Sequence, residues 1–323
     1  MTTVFLTGAS GFLGGHLLHE LVASGQQVRA LSRRPETDAL ITAGGGLPVR
    51  GALADRASLR RALDGCEAVF HAAADTSMWR PHASAQTATN VQGTENLLRA
   101  GEAAGVTAFL HTSSISAYSH RVQGVITEST AQRGGGSWIN YERTKFLGEQ
   151  VVRGATMPWI VFNPSHILGP GDRHNWARLI MLVDREKLPG IPPGVGAFAD
   201  VREIARAKLR AWQGQRFGQT YLLGGEQASF VDFVHRVGAA LGKRTPRGAT
   251  PAWLLMGVAR ITDTWSRLSG NEPDITPEAA ALTSHMLQVD SSKARRELDY
   301  VEPPLDVLLA DTLAWMRRQH MVG

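Results

Sequence analysis

The chain has 323 residues, of which 43% are hydrophobic and 20% charged, and its formal net charge is +5. This is the composition of a soluble globular protein, long enough to bury a large core as one large domain or two intimate ones. No apolar run reaches the length of a membrane span, the lone Cys66 excludes an intrachain disulfide, and the basic residues form scattered short pairs such as Arg60-Arg61 and Arg317-Arg318 rather than a stripe suited to nucleic acid.

The chain runs from Met1 straight into a strand-like segment, without the basic start and small-residue cleavage site of a signal peptide, so a reducing, cytoplasmic setting is expected. Residues 4–7 predict a strand and 12–23 a helix. Strands follow at 27–32 and 47–50, a helix at 57–63 and a strand at 68–72. A long helix is predicted over 85–104, a strand over 108–113, a helix over 139–153 and a strand over 159–163. Strands separated by helices imply right-handed crossovers and a parallel sheet. Each strand is mostly apolar, as expected when helices cover both faces.

After Pro164 the rhythm breaks. Proline and glycine cluster in Gly169-Pro170-Gly171-Asp172 and in Pro189-Gly190-Ile191-Pro192-Pro193-Gly194, which read as loops. Strand signal returns at 220–223, and helices are predicted at 230–241, 251–268 and 305–318.

Thr7-Gly8-Ala9-Ser10-Gly11-Phe12-Leu13-Gly14 joins the first strand to the first helix. Gly8 permits a tight turn, Gly11 lets a pyrophosphate approach the backbone, and Gly14 lets the helix pack closely. A phosphate then sits at a helix N-terminus, where free N–H groups and the helix dipole favour an anion. At the end of the second strand stands Leu31-Ser32-Arg33-Arg34. NAD-preferring sites usually place a carboxylate here for the ribose 2′-hydroxyl. A guanidinium instead suits a 2′-phosphate, so the cofactor expected is NADP, with Arg33 ahead of Arg34. The fold class expected is α/β: a Rossmann-type doubly wound parallel sheet with a smaller C-terminal substrate lobe. Residues 1–165 form the NADP-binding domain and 166–323 mainly the substrate lobe. Strands near 198–201 and 220–223 and the last helix are expected to return to the first domain.

Tyr141 and Lys145 stand one helical turn apart, so their side chains point the same way. A phenol is a poor acid at neutral pH, and a nearby ammonium stabilises its phenolate. The pair therefore suits general acid–base chemistry. A Ser113-Ser114 pair closes the fifth strand.

Together these segments resemble the extended short-chain dehydrogenase/reductase superfamily, of the NAD-dependent epimerase/dehydratase type. The resemblance covers nearly the whole chain. Thr7 to Gly14 is similar to its glycine signature, and His71-Ala72-Ala73-Ala74 to its fourth-strand motif. Asn90-Val91-Gln92-Gly93-Thr94 resembles its Asn-Val-x-Gly-Thr helix motif. His111-Thr112-Ser113-Ser114 is similar to the strand carrying a catalytic serine, and Tyr141 to Lys145 to the catalytic pair. Asn163-Pro164-Ser165-His166 through Asp172 resembles the stretch that opens Arg-Pro-Ser. Within the superfamily, Val289-Asp290-Ser291-Ser292-Lys293-Ala294 through Tyr300 resembles the dihydroflavonol-4-reductase-like branch, which reduces ketones and aldehydes with NADPH.

The resemblance implies roles. Tyr141 protonates the developing alkoxide, and Lys145 binds the nicotinamide ribose and holds the tyrosine pKa down. Ser114, preferred to Ser113 as the residue at the strand exit, hydrogen-bonds the carbonyl oxygen. Cofactor contacts are expected from Gly8, Ser10, Gly11, Phe12, Leu13, Gly14, Arg33, Arg34, Leu53, Ala72, Ala73, Ala74, Asn90, Thr112, Tyr141, Lys145, Pro164, Ser165 and His166. Asn90 has two readings beside that contact, as part of a water and hydrogen-bond relay near the active site or as a brace for a neighbouring strand, and His71 reads as structural. Loops past the strand ends carry Met78, Trp79, His82, Tyr118, Trp138, His166 and Trp176. Of these Trp79, Tyr118, Trp138, His166 and Trp176 are candidate substrate contacts, suited to a flat or apolar molecule. No metal site is expected.

Three departures stand out. Ala52 replaces an aspartate often found near the adenine, leaving that contact to the backbone or to Asp55. Asn163 replaces an arginine. Asp299 replaces a glycine of the late motif, at a position read as surface. The expected activity is NADPH-dependent reduction of a ketone or aldehyde. The rivals are a nucleotide-sugar epimerase or dehydratase, a 3β-hydroxysteroid dehydrogenase-like enzyme, and a non-catalytic NADP(H) sensor. Gly196-Ala197 stands where sugar-nucleotide enzymes often carry Arg-Asp for a diphosphate, and the Tyr/Lys pair that sensors lose is intact. The partner expected is a small-molecule carbonyl substrate, with no nucleic acid and no membrane; the resemblance implies a homodimer through paired helices.

Overall fold

The computed structural model describes residues 2–323, the side chains of 267–269 excepted. In the first half, short apolar runs form strands and the segments between them form helices. These are β1 (Thr3–Thr7), α1 (Phe12–Ala23), β2 (Gln27–Ser32), α2 (Pro35–Ala43), β3 (Leu47–Arg50), α3 (Arg56–Leu63) and β4 (Ala68–His71). Next come α4 (Ala83–Thr87), α5 (Gly93–Ala103), β5 (Ala108–Thr112), β6 (Val125–Ile126), α6 (Asn140–Arg153) and β7 (Trp159–Pro164). The remainder is β8 (His166–Leu168), α7 (Trp176–Asp184), β9 (Val195–Asp200), α8 (Val201–Gln213), β10 (Gln219–Leu223), β11 (Glu226–Ser229) and α9 (Phe230–Leu241). It ends in α10 (Ala252–Ser269), α11 (Pro277–Thr283), β12 (Gln288–Val289), α12 (Ser292–Leu298) and α13 (Leu305–Arg318).

Seven strands form one parallel sheet in the order β10-β7-β5-β4-β1-β2-β3. The order reverses beside β1, which opens a crevice at the C-terminal ends of β1 and β4. The register aligns those ends, with Thr7 opposite His71 and His71 opposite His111. On one face Leu17, Leu21, Phe70, Phe162, Ile204 and Trp212 pack α1 and α8 against the sheet. On the other, Phe5, Leu59, Leu97, Phe109, Val152 and Val161 pack α3, α5 and α6. Each such leucine or phenylalanine contributes about 1.5–3 kcal/mol by leaving water, so the strand ends stand on a rigid base.

The α/β architecture and doubly wound sheet match the sequence reading; several details differ. The helix expected over 85–104 is α4 and α5 joined by a π-helical turn, Ala88–Gln92. Residues 198–201 do not join the central sheet: β9 lies in a separate three-stranded sheet, β11-β9-β8. The last helix, α13, likewise packs in a second core with Leu168, Ile180, Phe198 and Phe233 rather than against the central sheet. The element α8 is new, though its signal is present in the sequence. Asp200 caps it by accepting from Arg202 N, and Val201, Ile204, Ala205, Lys208, Leu209 and Trp212 line its buried face. Among the described residues no helix is long and apolar enough to cross a membrane.

Candidate active site

The glycine turn is shaped by two close approaches. Gly8 has φ +78°, and a Cβ there would stand 2.7 Å from Ala73 N. A Cβ on Gly14 would stand 1.8 Å from the Gly8 carbonyl oxygen. Any larger residue at either position breaks the turn. Thr7 ties the turn to β4: its Oγ1 accepts from Ala72 N and Ala73 N, both at 3.2 Å, and meets His71 Nδ1 at 2.7 Å. The first turn of α1 carries no acidic side chain, so its N–H groups are open to an anion.

Arg33 and Arg34 are exposed, and among the described residues neither forms an ion pair. Ser32 is buried, its Oγ donating to Arg34 O at 3.1 Å. Sequence reasoning missed Arg50, which lies opposite Ser32 in the sheet and pairs with Asp38. The cradle a Cβ would fill, the uncapped helix and the free arginines fit a dinucleotide. Leu53 lies at the same edge, its carbonyl accepting from Asn96 Nδ2 at 3.0 Å. Asp55 is committed elsewhere: its Oδ1 caps α3 by accepting from Ala57 N and Ser58 N.

The three proposed catalytic residues come together. Tyr141 and Lys145 lie in α6, and Ser114 follows the exit of β5. The Tyr141 hydroxyl lies near the Ser114 side chain, close enough for that side chain to lower the phenol's pKa. Ser113 is buried, and its Oγ has no hydrogen-bond partner among the described residues. Ser114 Oγ also accepts from Ser116 N at 3.1 Å, which fixes its rotamer. Burial raises the Tyr141 pKa above the ordinary phenol value, and the nearby Ser114 side chain opposes that rise. The expectation of a depressed phenol is therefore corrected: Lys145 stands 5.9 Å from the Tyr141 ring centroid and is itself lowered to about 8 by burial. Its Nζ donates to Thr112 O at 3.1 Å.

A second lysine was not foreseen. Lys208, on α8, is wholly buried. Its Nζ donates to Thr112 Oγ1 at 2.8 Å and stands 4.4 Å from the Phe162 ring centroid. Burial, with Lys145 nearby, lowers it to about 7. The same surroundings hold His71 neutral, with its pKa lowered to about 3 chiefly by burial.

Polar braces surround this group. Asn90 accepts from Asp75 N at 2.8 Å and donates to Asp75 O at 2.8 Å and Thr144 Oγ1 at 3.1 Å. It thus braces the loop after β4 and meets α6, where the structural reading had expected a neighbouring strand. His71 bridges Thr7 and Thr94 Oγ1, the latter at 2.9 Å. Asn163 donates to Ser114 O at 3.0 Å and to Glu149 Oε2 at 2.8 Å, so the residue replacing the arginine steadies the serine's backbone. Pro164 ends β7, and Ser165 Oγ donates to Ala197 O at 2.5 Å.

The aromatic candidates separate. Tyr118 does not line the cleft: it is 1% exposed and packs with Ile115, Val122, Ile126 and Leu222. His166 and Trp176 join Phe198, Phe230 and Phe233 in an aromatic cluster of the second lobe. Burial lowers His166 to about 4. Trp79 is buried, its Nε1 donating to Ser266 Oγ on α10 at 3.1 Å. Trp138 remains exposed beside Arg80 and His120. A cavity of about 740 Å³ lies off the catalytic trio, between Met78, Asn175, Arg178 and Thr276.

The NAD dependent epimerase/dehydratase family model matches residues 4–224, and the chain belongs to that family. "Sterol demethylase protein B" of Methylococcus capsulatus is 32% identical over 99% of this chain and 100% of its own length. A Synechocystis sp. protein bearing the name of a dihydroflavonol 4-reductase is 27% identical over 98% of this chain and 95% of its own. The crystal structure of gox2253 superposes with a TM-score of 0.86 at 28% identity, covering both chains completely.

Proposed function

We propose that the protein is an NADPH-dependent reductase of a ketone or aldehyde, reversible as an alcohol dehydrogenase, acting on a lipophilic ring-bearing substrate. The observation that carries this reading is the meeting of Tyr141, Ser114 and Lys145, the phenol near the Ser114 side chain and one helical turn from Lys145, at the sheet edge that also bears the glycine turn. Gly8, Gly11, Gly14 and the α1 N-terminus would hold the dinucleotide, with Arg33 and Arg34 at its 2′-phosphate. When bound there, the reduced nicotinamide supplies hydride to the carbonyl carbon.

The chain's own residues manage the oxygen. Ser114 donates to the carbonyl oxygen as negative charge grows on it. Tyr141 gives that oxygen its proton, yielding the alcohol and a phenolate that is reprotonated from solvent. A phenol held protonated by burial is the form this direction consumes. Lys145 supplies positive charge beside the phenolate so formed. Gly196-Ala197 supports reduction over sugar-nucleotide chemistry, since no arginine stands there to hold a diphosphate and a Cβ on Gly196 would crowd the His166 ring at 2.3 Å. The substrate class takes support from the relatives' names, sterol and dihydroflavonol, both molecules built on fused rings.

The test is a panel of cyclic ketones, aldehydes and sugar nucleotides, each with NADPH and NADH, followed at the nicotinamide absorbance. Tyr141→Phe is expected to lower kcat by roughly 10²–10⁴-fold while NADPH still binds. Undiminished turnover in that variant would overturn the proton donor. Sugar nucleotide consumed without net cofactor change would point to epimerisation instead.

A further inference from the structure

Helix α10, 18 residues long, is apolar on its outer face as well as on part of its inner one. Surface helices normally turn apolar residues inward and polar ones outward. Here the inward face holds Leu255, Ala259, Asp263 and Ser266, all buried. The outward face holds Trp253, Leu254, Val258, Ile261 and Trp265, exposed by 76%, 43%, 46%, 65% and 70%. At about 100° per residue these five fall in one sector of about 140°, opposite the buried face, and the two tryptophans stand about 18 Å apart along the axis. The tryptophans alone expose on the order of 300 Å², and the stripe as a whole exceeds what a monomer ordinarily leaves bare.

The charge around the stripe indicates what covers it. From Lys243 to Thr262 the sequence has no aspartate or glutamate. Arg244, Arg247 and Arg260 are exposed and form no ion pair among the described residues. We infer that α10 is a docking face for the surface of an anionic lipid bilayer. The helix lies flat, with Trp253 and Trp265 at headgroup level and the arginines on acidic headgroups, the arrangement of an interfacial amphipathic helix. A second copy fits less well. A two-fold contact would set the same arginines against each other, and one helix face falls short of the roughly 800 Å² per partner of a stable interface. The expectation of no membrane partner rested on the lack of a spanning segment, which a helix lying flat does not need. The docking is independent of the reductase reading, because it requires no turnover.

The experiment is co-sedimentation of the full-length protein with vesicles of phosphatidylcholine and phosphatidylglycerol in equal parts, and with phosphatidylcholine alone. Tryptophan emission and light-scattering mass are recorded alongside. Binding to the acidic vesicles with a blue-shifted emission is expected. Trp253→Ser/Ile261→Ser/Trp265→Ser is expected to abolish it, and Arg247→Gln/Arg260→Gln to weaken it roughly thirtyfold. Both variants should keep the wild-type circular dichroism, since the altered side chains are solvent-facing. Three results would overturn the proposal: no vesicle binding, binding unchanged in the triple variant, or a dimer that the triple variant dissolves without any vesicle binding.

Discussion

Lys145 and Lys208 end on the same residue: Thr112 accepts from the first through its carbonyl at 3.1 Å and from the second through its hydroxyl at 2.8 Å. The strand β5 thus carries two buried ammonium groups on one threonine, one from α6 and one from α8. The carboxylate that supports Lys145 is Glu149, which is itself held by Asn163 and Arg153.

This has a pH signature. Lys208 titrates at about 7 in the folded protein and near 10.4 in an unfolded chain. Between those values the unfolded state binds more protons, so stability rises with pH across that window and is flat below it. Lys145, at about 8, adds a term of the same sign. Lys208→Met is expected to flatten the profile and to be the more stable protein below pH 7, by on the order of 3 kcal/mol. Denaturant unfolding across the pH range measures this. A variant whose profile parallels the wild type would show that the Lys208 charge does not matter to folding.

Arg33→Ala is expected to weaken NADPH binding about 10–100-fold, the loss of a charge-assisted hydrogen bond, and to leave NADH nearly unchanged. Arg34→Ala should do the same to a smaller degree. Titration of each variant with both cofactors decides it. Equal losses for the two would place the arginines away from the 2′-phosphate.

Asn90→Ala would leave the half-buried Asp75 N–H without its partner and the Asp75 C=O with only Gln86 Nε2 at 3.3 Å. The expected cost is about 1–2 kcal/mol. Asn90→Asp keeps an acceptor for the N–H but loses both donor bonds and sets a carboxylate against a carbonyl, so it should not recover the loss. Thermal unfolding compares the three. A cofactor affinity that collapses with stability untouched would argue for a direct cofactor contact.

Asp299 caps α12 in the left-handed region at φ +47°. An aspartate tolerates that conformation less well than glycine. Asp299→Gly, which restores the residue the late motif usually has, is expected to stabilise the protein by about 0.5–1 kcal/mol. A drop in denaturation midpoint would mean the Asp299 side chain contributes more than its backbone costs.

What was legible in the sequence was local. Gly8, Gly11 and Gly14 sit within one turn, and Tyr141 and Lys145 within one helical turn, so spacing alone brings them together. Lys208 belongs to no motif and reaches Thr112 only because α8 packs behind β5. Trp79, Tyr118, His166 and Trp176 follow strand ends much as pocket residues do. Whether such a ring faces a cleft or a second core depends on the lobe formed by β8, β9, β11 and α9, in which β8 and β11 have only three and four residues and give no clear period. Asn90 was readable as a brace because a buried amide must be satisfied, yet its partner, the Asp75 backbone, is a loop no pattern marks.

The strand order also constrains synthesis. Residues 160–164 of β7 pair with 219–223 of β10, and the chain between them builds β8, α7, β9 and α8. A nascent chain that has emerged only as far as Pro164 therefore presents β7 as a bare, apolar edge. Such edges recruit other strands and promote aggregation. The ribosome must release more than fifty further residues before the sheet can close, so premature termination anywhere in that interval leaves a product with an adhesive flank.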